Sequence, residues 1–325
     1  SLITNQFIDP KKRIYIFYIL ISIFIAFFWF MINKKLSFNK TIKKIFDYKI
    51  FFSKSAKSDY KVFLVNQLIM MIISPLLVTQ LTIATALYFY FHSIDWLNVG
   101  MFKGLSKAYV VLAFTIFQFT IDDFSKYIIH RFMHKLPILW SLHKVHHSAT
   151  VLTPMTVFRT HPLEGIIFSL RSSVTQAISI SLFVFLFADS VNLLTILGVN
   201  VFVFIFNILG ANLRHSHVGI RYWNWVEYIF ISPGQHQLHH SIAREHHDKN
   251  FGAALAIWDW LFGSLHHSVE FETLQLGLEK NQKKETHSLL NLYLNPLIEM
   301  KNYTLNKFNK FTFLLKKNYL KENFK

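Results

Sequence analysis

The sequence predicts an all-α, polytopic integral membrane protein with about four to five transmembrane helices. Three observations support this fold class. Of the 325 residues, 52% are hydrophobic and 17% are aromatic, which is more apolar than an ordinary soluble domain. Several apolar runs are long enough to cross a bilayer as helices. Lysines are concentrated between and after these runs, as they are in the loops of membrane proteins.

The first predicted span and the loop after it set the orientation of the chain. The run from Ile14 to Ile32 has about the length of a bilayer-spanning helix, and Lys34 and Lys35 follow it at once. Residues 34–61 carry nine Lys against two Asp. By the positive-inside rule this loop lies in the cytoplasm, so the N-terminus faces outward.

Two further regions are predicted to cross the membrane before the polar part of the chain. Residues 62–91 are apolar and long enough to span, either with tilt or with a break at Pro75. Residues 108–121 are short for a span unless they continue into an amphipathic helix that carries His130. If they do, the chain re-enters the cytoplasm at that point.

A second apolar pair, residues 166–187 and 191–209, is predicted to form a helical hairpin that enters the membrane and returns. This topology puts residues 122–162 and those after Asn212 on the same side, as a cytoplasmic helical cap. We therefore divide the chain into three parts. An N-terminal transmembrane region (1–121) precedes a catalytic domain (122–268) that includes the hairpin (166–209), and a Lys-rich, peripheral tail (269–325) follows.

Composition excludes several classes of function. No Cys is present, so disulfides, thiolate-ligated haem, Cys-ligated iron–sulfur clusters and Cys-type zinc sites are excluded. The formal charge is +16, but no nucleic-acid-binding motif accompanies it, and membrane topology explains the lysines better. Any metal must be held by nitrogen or oxygen.

Histidine clusters are the main functional signal among the 17 His. Eight of them fall in HRFMH, HKVHH and HQLHH, namely His130, His134, His143, His146, His147, His236, His239 and His240. Spacings of three and four residues put imidazoles on one face of a helix, close enough to share a metal. Eight nitrogens are too many for one ion with an open position, so the pattern predicts a di-metal site in the cap. Lone histidines such as His92 and His287 are expected to be ordinary.

The residue types leave the metal open, because imidazole suits zinc, copper, iron and nickel. No Glu-x-x-His or HExxH motif occurs, which excludes the soluble carboxylate-bridged di-iron bundle and the zinc protease. Two many-ligand sites favour a pair of irons over zinc, which is the alternative occupant. A His-rich metal transporter is the rival class, but it predicts ionisable residues inside the spans.

The motifs HRFMH, LWSLHKVHHSA, RTHPLEG, NLRHSH, SPGQHQLHHS, DKNFG and WDWLFGS, in this order, resemble the fatty acid hydroxylase and sterol desaturase superfamily, with bacterial sterol-desaturase-like members nearest and alkylglycerol monooxygenase more distant. The resemblance covers about residues 122–266. It implies that the eight clustered histidines are catalytic iron ligands and that His215 is a further ligand. His161 is either a ligand or a residue that supports one, or else it has a helix-start role beside Pro162. Asp259 either accepts a hydrogen bond from a ligand imidazole or pairs with a nearby Arg or Lys. His217 matches no ligand clearly, and His246 and His247 are expected to be exposed loop histidines.

The resemblance also implies an activity. Such an enzyme uses O₂ and two Fe ions to hydroxylate a lipid C–H bond, in a fatty acyl, sterol-like or ether lipid, with desaturation as the alternative. No flavin, nicotinamide or cytochrome motif appears in the sequence, so electrons must come from an external electron-transfer protein or reductase. The expected location is a bacterial inner membrane, with the active site on the cytoplasmic side.

Overall fold

The computed structural model describes residues 2–77, 79–188, 200–279 and 287–323. Within these ranges the regular elements are helices, and β-structure is confined to isolated bridges. The predicted all-α class is confirmed for this part of the chain.

The helices follow one another without a soluble β-domain between them, and most of the long ones lie in the first 190 residues. In chain order they are α1 (Leu2–Ile8), α2 (Ile16–Ile32), α3 (Phe38–Ile45), α4 (Tyr48–Phe51), α5 (Lys54–Ile73), α6 (Gln80–His92), α7 (Lys107–Lys135), α8 (Pro137–His147), α9 (Pro162–Phe187), α10 (Val201–Ile208), α11 (Asn224–Glu227), α12 (Pro233–His239), α13 (Ile257–Leu261) and α14 (Leu289–Asn323). Short 3₁₀ helices occur at Ser74–Leu76, Pro154–Phe158, Ala211–His215, Arg244–His246 and Phe271–Thr273.

Three stretches of the described chain are long and apolar enough to cross a membrane: Lys54–His92, Lys107–Lys135 and Pro162–Phe187. Helix α2 is also apolar but has 17 residues, which is at the lower limit for a perpendicular span. Arg13 before α2 contacts Ala211 and Asn212, and Lys34 after it pairs with Glu270. Both ends of α2 therefore contact the part of the chain that follows α9, contrary to the predicted outward-facing N-terminus. The predicted break at Pro75 is present, because α5 ends at Ile73 and a 3₁₀ turn follows. The predicted total of four to five spans therefore stays a prediction beyond these three.

Helix α7 joins a predicted span to the first histidine motif. It runs without interruption for 29 residues, as the sequence required if the short apolar segment was to cross the bilayer. At 1.5 Å per residue its length is about 43 Å, greater than the roughly 30 Å of hydrocarbon. Its last turns, which carry His130 and His134, can therefore lie beyond the apolar layer.

The outer faces of these helices are apolar. Leu68, Ile72, Leu81 and Phe89 are each more than half exposed, although burial of such side chains is worth roughly 2 kcal/mol each. A row of exposed large apolar side chains on consecutive helices is typical of a surface that faces lipid.

The first arm of the predicted hairpin is α9, which packs against α6 and α7. Of the second arm, residues 191–199 lie outside the described residues, and Val201–Ile208 is helical.

A buried ion pair fastens the base of α5 to the segment before α9. Arg159 and Asp59 are fully buried and their side chains are 2.8 Å apart. Thr156 donates a hydrogen bond of 2.7 Å to the other carboxylate oxygen of Asp59. Because an unpaired buried charge is very costly, this pair holds the loop between α8 and α9 in one position.

The C-terminal region differs from the peripheral tail that the sequence suggested. The first turns of α14 pack against α8 and α5, with Leu292 buried between Val62 and Val145. The Tyr293 hydroxyl donates a hydrogen bond of 2.7 Å to Asn66. The periodicity of this helix is weak in a Lys- and Asn-rich sequence, which is why its packing face was missed.

Candidate metal centre

Helix α7 contributes the first pair of histidines, one turn apart. His130 donates through Nδ1 to the carbonyl oxygen of Phe251 at 2.7 Å. Nε2 of His134 is buried and has no hydrogen-bond partner. The ring centroids of the two imidazoles are 5.1 Å apart, so the spacing of four residues brings them onto one face as predicted.

Helix α8 begins with Pro137 and ends with three buried histidines. Pro137 stops α7 and starts α8, since proline is well tolerated in the first turn of a helix. His143 donates through Nδ1 to Oε1 of Glu164, 2.7 Å away, and both side chains are almost completely buried. His146 and His147 follow on the two neighbouring faces.

The third cluster lies on the short helix α12 and at its end. Ser232 and Gln235 form a capping box, and Pro233 occupies the first turn. Nε2 of Gln237 donates to backbone carbonyls of the 211–218 segment, among them that of Leu213 at 3.0 Å. These bonds tie α12 to the 3₁₀ turn that carries His215, so the histidines of the two segments face each other.

The structure sorts these histidines into two neighbouring groups. The first group contains His130, His134, His143, His147 and His239, and the second contains His146, His215, His236 and His240. Within each group the candidate ligand atoms all lie within 4.8 Å of one another. Each group could therefore hold one metal ion, and the two groups together contain the eight clustered histidines and His215.

The hydrogen bonds decide which ring nitrogens are free. His130 and His143 each use Nδ1–H as a donor, to a carbonyl and to a carboxylate, so in the neutral rings Nε2 carries a lone pair. These two Nε2 atoms face each other at 3.1 Å. Opposed lone pairs at this distance repel one another unless a cation lies between them. Two nitrogens that each lie roughly 2.1 Å from one ion and at about 90° are about 3.0 Å apart.

The second group has the same spacing. Nε2 of His215 lies 3.1 Å from Nε2 of His146 and 2.9 Å from Nε2 of His236. Neither nitrogen of His240 has a hydrogen-bond partner, although both are buried. Buried polar atoms normally have partners, and a metal ion would supply the missing ones.

Burial keeps the imidazoles neutral. It lowers the pKa of His143 and of His146 to about 3. It also lowers the pKa of His147, His239 and His240, and neighbouring histidines add to the effect. Neutral rings are the form that binds metal, so no proton has to be displaced at neutral pH.

A loop behind the first group fixes the acceptor of His130. Asp259 accepts hydrogen bonds from the backbone N–H groups of Phe251 and Gly252 at 2.8 and 2.7 Å, and from the Ser264 hydroxyl at 2.6 Å. The sequence suggested either a bond from Asp259 to a ligand imidazole or a pair with a basic residue. In the structure, Asp259 instead binds the backbone N–H of Phe251. It thereby orients the Phe251 carbonyl group, which accepts the hydrogen bond from His130.

His161 and His217 stay outside both groups. His161 caps α9, accepting from the Leu163 N–H at 3.2 Å through Nδ1 and donating to the Tyr293 carbonyl through Nε2. This is the helix-start role that the sequence gave as one of its alternatives. His217 donates to the Lys44 carbonyl at 2.7 Å. Among the loop histidines, His246 is buried, contrary to the expectation of an exposed residue.

Sequence reasoning missed Glu164. Its carboxylate is buried and accepts from His143, while its second oxygen, Oε2, has no partner. A signal was available, because Glu164 lies only two residues before the predicted span that begins at residue 166, and a carboxylate at the edge of a span is costly unless it has a specific role. The RTHPLEG motif contains this residue three positions after His161.

Two cavities adjoin the histidines. One of about 320 Å³ touches both groups and is lined by His130, His143, His146, His215 and His236 together with α9 residues such as Phe168. Another, of about 250 Å³, adjoins the first group on its other side, beside Trp140 and Asp248. The site is thus reachable from two directions, one beside a candidate membrane helix and one beside polar loops.

Comparison with known proteins matches the same region of the chain to a family model. Residues 115–264 match the family model described as fatty acid hydroxylase. This segment contains both histidine groups and Glu164. Residues 115–264 are therefore similar to fatty acid hydroxylases.

Several curated proteins are similar to this chain at modest identity. An alkylglycerol monooxygenase of Danio rerio is 32% identical over 44% of this chain and 28% of its own length. An ornithine lipid hydroxylase of Rhizobium tropici is 27% identical over 49% of this chain and 43% of its own length. A Δ7-sterol 5(6)-desaturase of Aspergillus fumigatus is 28% identical over 46% of this chain and 47% of its own length.

The chain therefore spans less than half the length of these curated relatives. These three relatives are a monooxygenase, a hydroxylase and a desaturase. No solved structure matches the chain significantly.

Proposed function

We propose that this protein is a membrane-bound, non-haem di-iron oxygenase that hydroxylates a C–H bond of a lipid with O₂. The observation that carries the proposal is the division of nine histidines, seven buried and two half-buried, into groups of five and four. Two adjacent sites of neutral nitrogen ligands suit a pair of divalent metal ions. The superfamily relationship favours oxygen chemistry for such a pair.

The proposed ligands are the members of the two groups, and the eight clustered histidines are the proposed catalytic residues. Iron is the proposed metal, with zinc as the alternative occupant, because imidazole alone does not distinguish them. When bound, the pair of irons would supply the redox chemistry that activates O₂. Hydroxylation inserts one oxygen atom into the C–H bond, and the other leaves as water with two electrons and two protons.

The chain's own residues position the reaction and exclude water. Glu164 holds the His143 ring through Nδ1–H, and the Phe251 carbonyl does the same for His130. Such partners fix ring orientation and raise the basicity of the ligand nitrogen. The cavity beside Phe168 is the proposed substrate position, since α9 gives it an apolar wall next to the bilayer.

Electrons are proposed to come from an external electron-transfer protein or reductase. The polar cavity beside Trp140 is the proposed side of approach, because it reaches the first group without passing the lipid-facing helices. We further propose that this side is cytoplasmic and that the membrane is a bacterial inner membrane. The nine-Lys loop supports this orientation.

Desaturation is the second candidate, favoured by the sterol desaturase among the relatives. It would use the same site and remove two hydrogens from adjacent carbons. A metal transporter is disfavoured, because the histidines form two closed groups at one end of α7 and α9 and do not form a path along the spans.

Lipid mass spectrometry of cells with and without the protein tests the proposal. A lipid that gains the mass of one oxygen only when the protein is present supports hydroxylation. A loss of two hydrogens supports the desaturase instead. An unchanged lipid profile in cells whose protein is metal-loaded contradicts both.

A further inference from the structure

Two arginines line the cavity that touches both histidine groups. Arg13 comes from the segment before α2, and Arg214 comes from the 3₁₀ turn that carries His215. Arg214 is buried, and Arg13 is partly buried. Two cationic side chains beside nine metal-ligating candidates are unexpected, because a bound metal pair would already make the site positive.

Neither guanidinium forms a salt bridge within the described residues. Burial lowers the pKa of Arg214 to about 10, and the charge of Asp123 acts in the opposite direction, although the Asp123 oxygens accept hydrogen bonds from residues 254, 255 and 258. Arg13 donates to the Asn212 side-chain oxygen at 3.1 Å and to the Ala211 carbonyl at 2.7 Å. Arg214 donates to the carbonyls of Ala211 and Ala253. A guanidinium has five N–H donors, so roughly three remain on each arginine.

The other charged side chains of the cavity are already engaged. Lys126 pairs with Asp122 at 2.6 Å. Glu164 receives the Nδ1–H of His143. The two arginines therefore outnumber the one carboxylate of the lining, Glu164, which accepts from His143 and pairs with neither arginine.

Asn212 adds a further donor. Its oxygen accepts from Arg13, which identifies the other amide atom, Nδ2, as nitrogen, and this nitrogen is buried without a partner. The charge of Arg214 lowers the pKa of Arg13, in addition to the larger effect of burial. Two repelling cations and an unpaired amide N–H form a donor set to which no carboxylate of the described residues is hydrogen-bonded. Carboxylates and phosphates are the groups that arginine binds best.

A large groove adjoins Arg214 on its other side. The Arg214 guanidinium lies 5.0 Å from the ring centroid of Phe206. Phe206 also lines an open groove of about 1410 Å³, whose walls include Phe119, Phe202 and Ile205. Arg214 thus lines the smaller cavity beside the histidines and lies against Phe206, a wall residue of a groove whose size suits hydrocarbon chains.

We propose that Arg13 and Arg214 bind the anionic headgroup, phosphate or carboxylate, of a lipid whose hydrocarbon chain lies in the groove beside Phe206. Oxidation then occurs at a carbon close to the headgroup, since the cavity at the histidines is much smaller than the groove. This inference rests on the proposed lipid oxygenase function, and it adds the charge class of the substrate and the end of the molecule that is oxidised.

The test is photo-crosslinking to the purified, full-length protein in neutral detergent. The probes are a long-chain alkyl phosphate and the matching alkyl alcohol, each with a diazirine near the polar end. We expect the phosphate to label the cavity peptides containing Val157, Phe168 or Ala253 about tenfold more than the alcohol does, as charge-assisted hydrogen bonds predict. Crosslinking requires no catalytic turnover. A negative crosslinking result would therefore contradict the headgroup proposal without contradicting the proposed oxygenase function.

Variants assign the preference to the two arginines. Arg13→Gln and Arg214→Gln are expected to reduce phosphate labelling to the level of the alcohol, and Arg13→Lys to retain part of it. Arg244→Gln, at an exposed arginine, is the matched control and should label like the wild type. Bound metal and thermal unfolding are measured on each variant. If Arg214→Gln does not fold, the labelling of Arg13→Gln and the difference between phosphate and alcohol labelling in the wild type still test the proposal.

Equal labelling of the cavity by phosphate and alcohol in the wild type would overturn the proposal. So would full phosphate labelling in a folded Arg13→Gln variant. Competition by inorganic phosphate distinguishes the sources of the anion. We expect it to compete only weakly, and competition as strong as that of the amphiphile would overturn the lipid headgroup as ligand.

Discussion

At the scale of single residues, the site depends on which nitrogen of each imidazole is free. His130, His143 and His239 each donate Nδ1–H to a fixed oxygen, on Phe251, Glu164 and Lys249 respectively, at 2.7 Å. These bonds leave the three Nε2 atoms as lone-pair donors in the first group. The two backbone acceptors are neutral, so Glu164 is the one carboxylate among these three partners.

Removing the Glu164 carboxylate should weaken metal binding. Glu164→Ala leaves the buried Nδ1–H of His143 without an acceptor, and we expect metal affinity to fall by about 10–100-fold. Glu164→Gln retains an oxygen acceptor and should lose less. Metal titration of the purified variants measures both effects. The control is Glu299→Gln, because Glu299 is a partly exposed carboxylate that pairs with Lys144 and not with a histidine. Unchanged affinity in Glu164→Ala would refute the positioning role.

The two groups should be equally necessary. His146→Ala removes one member of the second group, and His239→Ala removes one of the first. We expect each variant to have no measurable activity and to bind less metal. The control is His92→Ala, at an exposed residue. His287 is less suitable as a control, because its Nδ1 atom lies 3.4 Å from the buried Arg159. Full activity in either of the first two variants would contradict the ligand assignment.

At the scale of elements, the histidines are presented by short, well-capped helices and by loops held from behind. Helix α8 is bounded by Pro137, and α12 by its Ser232 and Gln235 capping box. Asp259 and Gln237 tie these pieces together through backbone groups. The cap is therefore organised by polar side chains that bind main chain, in addition to apolar packing.

The C-terminal helix α14 should stabilise the cap through one face. Leu292 is buried against Val62 and Val145, while Leu294 on the same helix is 44% exposed. We expect Leu292→Ala to lower the free energy of unfolding by about 2–5 kcal/mol. Leu294→Ala is the matched control and should change it little. Thermal unfolding in detergent measures both, and equal effects would mean that α14 does not pack as described.

Sequence alone predicted part of this arrangement. The continuity of α7 and the break at Pro75 followed from span length and proline chemistry. The convergence of the histidines followed from helical spacing combined with topology. Glu164, Gln237 and the packing face of α14 were not predicted, because their roles depend on contacts between segments far apart in the chain. Periodicity within one segment does not report such contacts.

At the scale of the whole molecule, the account requires the basic loop and the C-terminal helix to share one side of the membrane. The chain has no Cys, so single cysteines can be introduced without background. We expect Lys40→Cys and Lys301→Cys, both at exposed positions, to react with an impermeant thiol reagent only from the cytoplasmic side. Asp95→Cys, between α6 and α7, should react only from the outside. Labelling of Lys40→Cys and Lys301→Cys from opposite sides would contradict the topology.

The central claim about the molecule is that the two histidine groups together form one di-metal centre. Each group could hold one ion, and the members of each come from separate segments, so a folded chain should bind metal in a fixed ratio. The most direct test is elemental analysis of the purified full-length protein. The account predicts about two irons per chain, one for each histidine group, and about one in a variant that lacks His215 and His236. A folded protein that binds no metal, or that keeps two irons after loss of the second group, would contradict it.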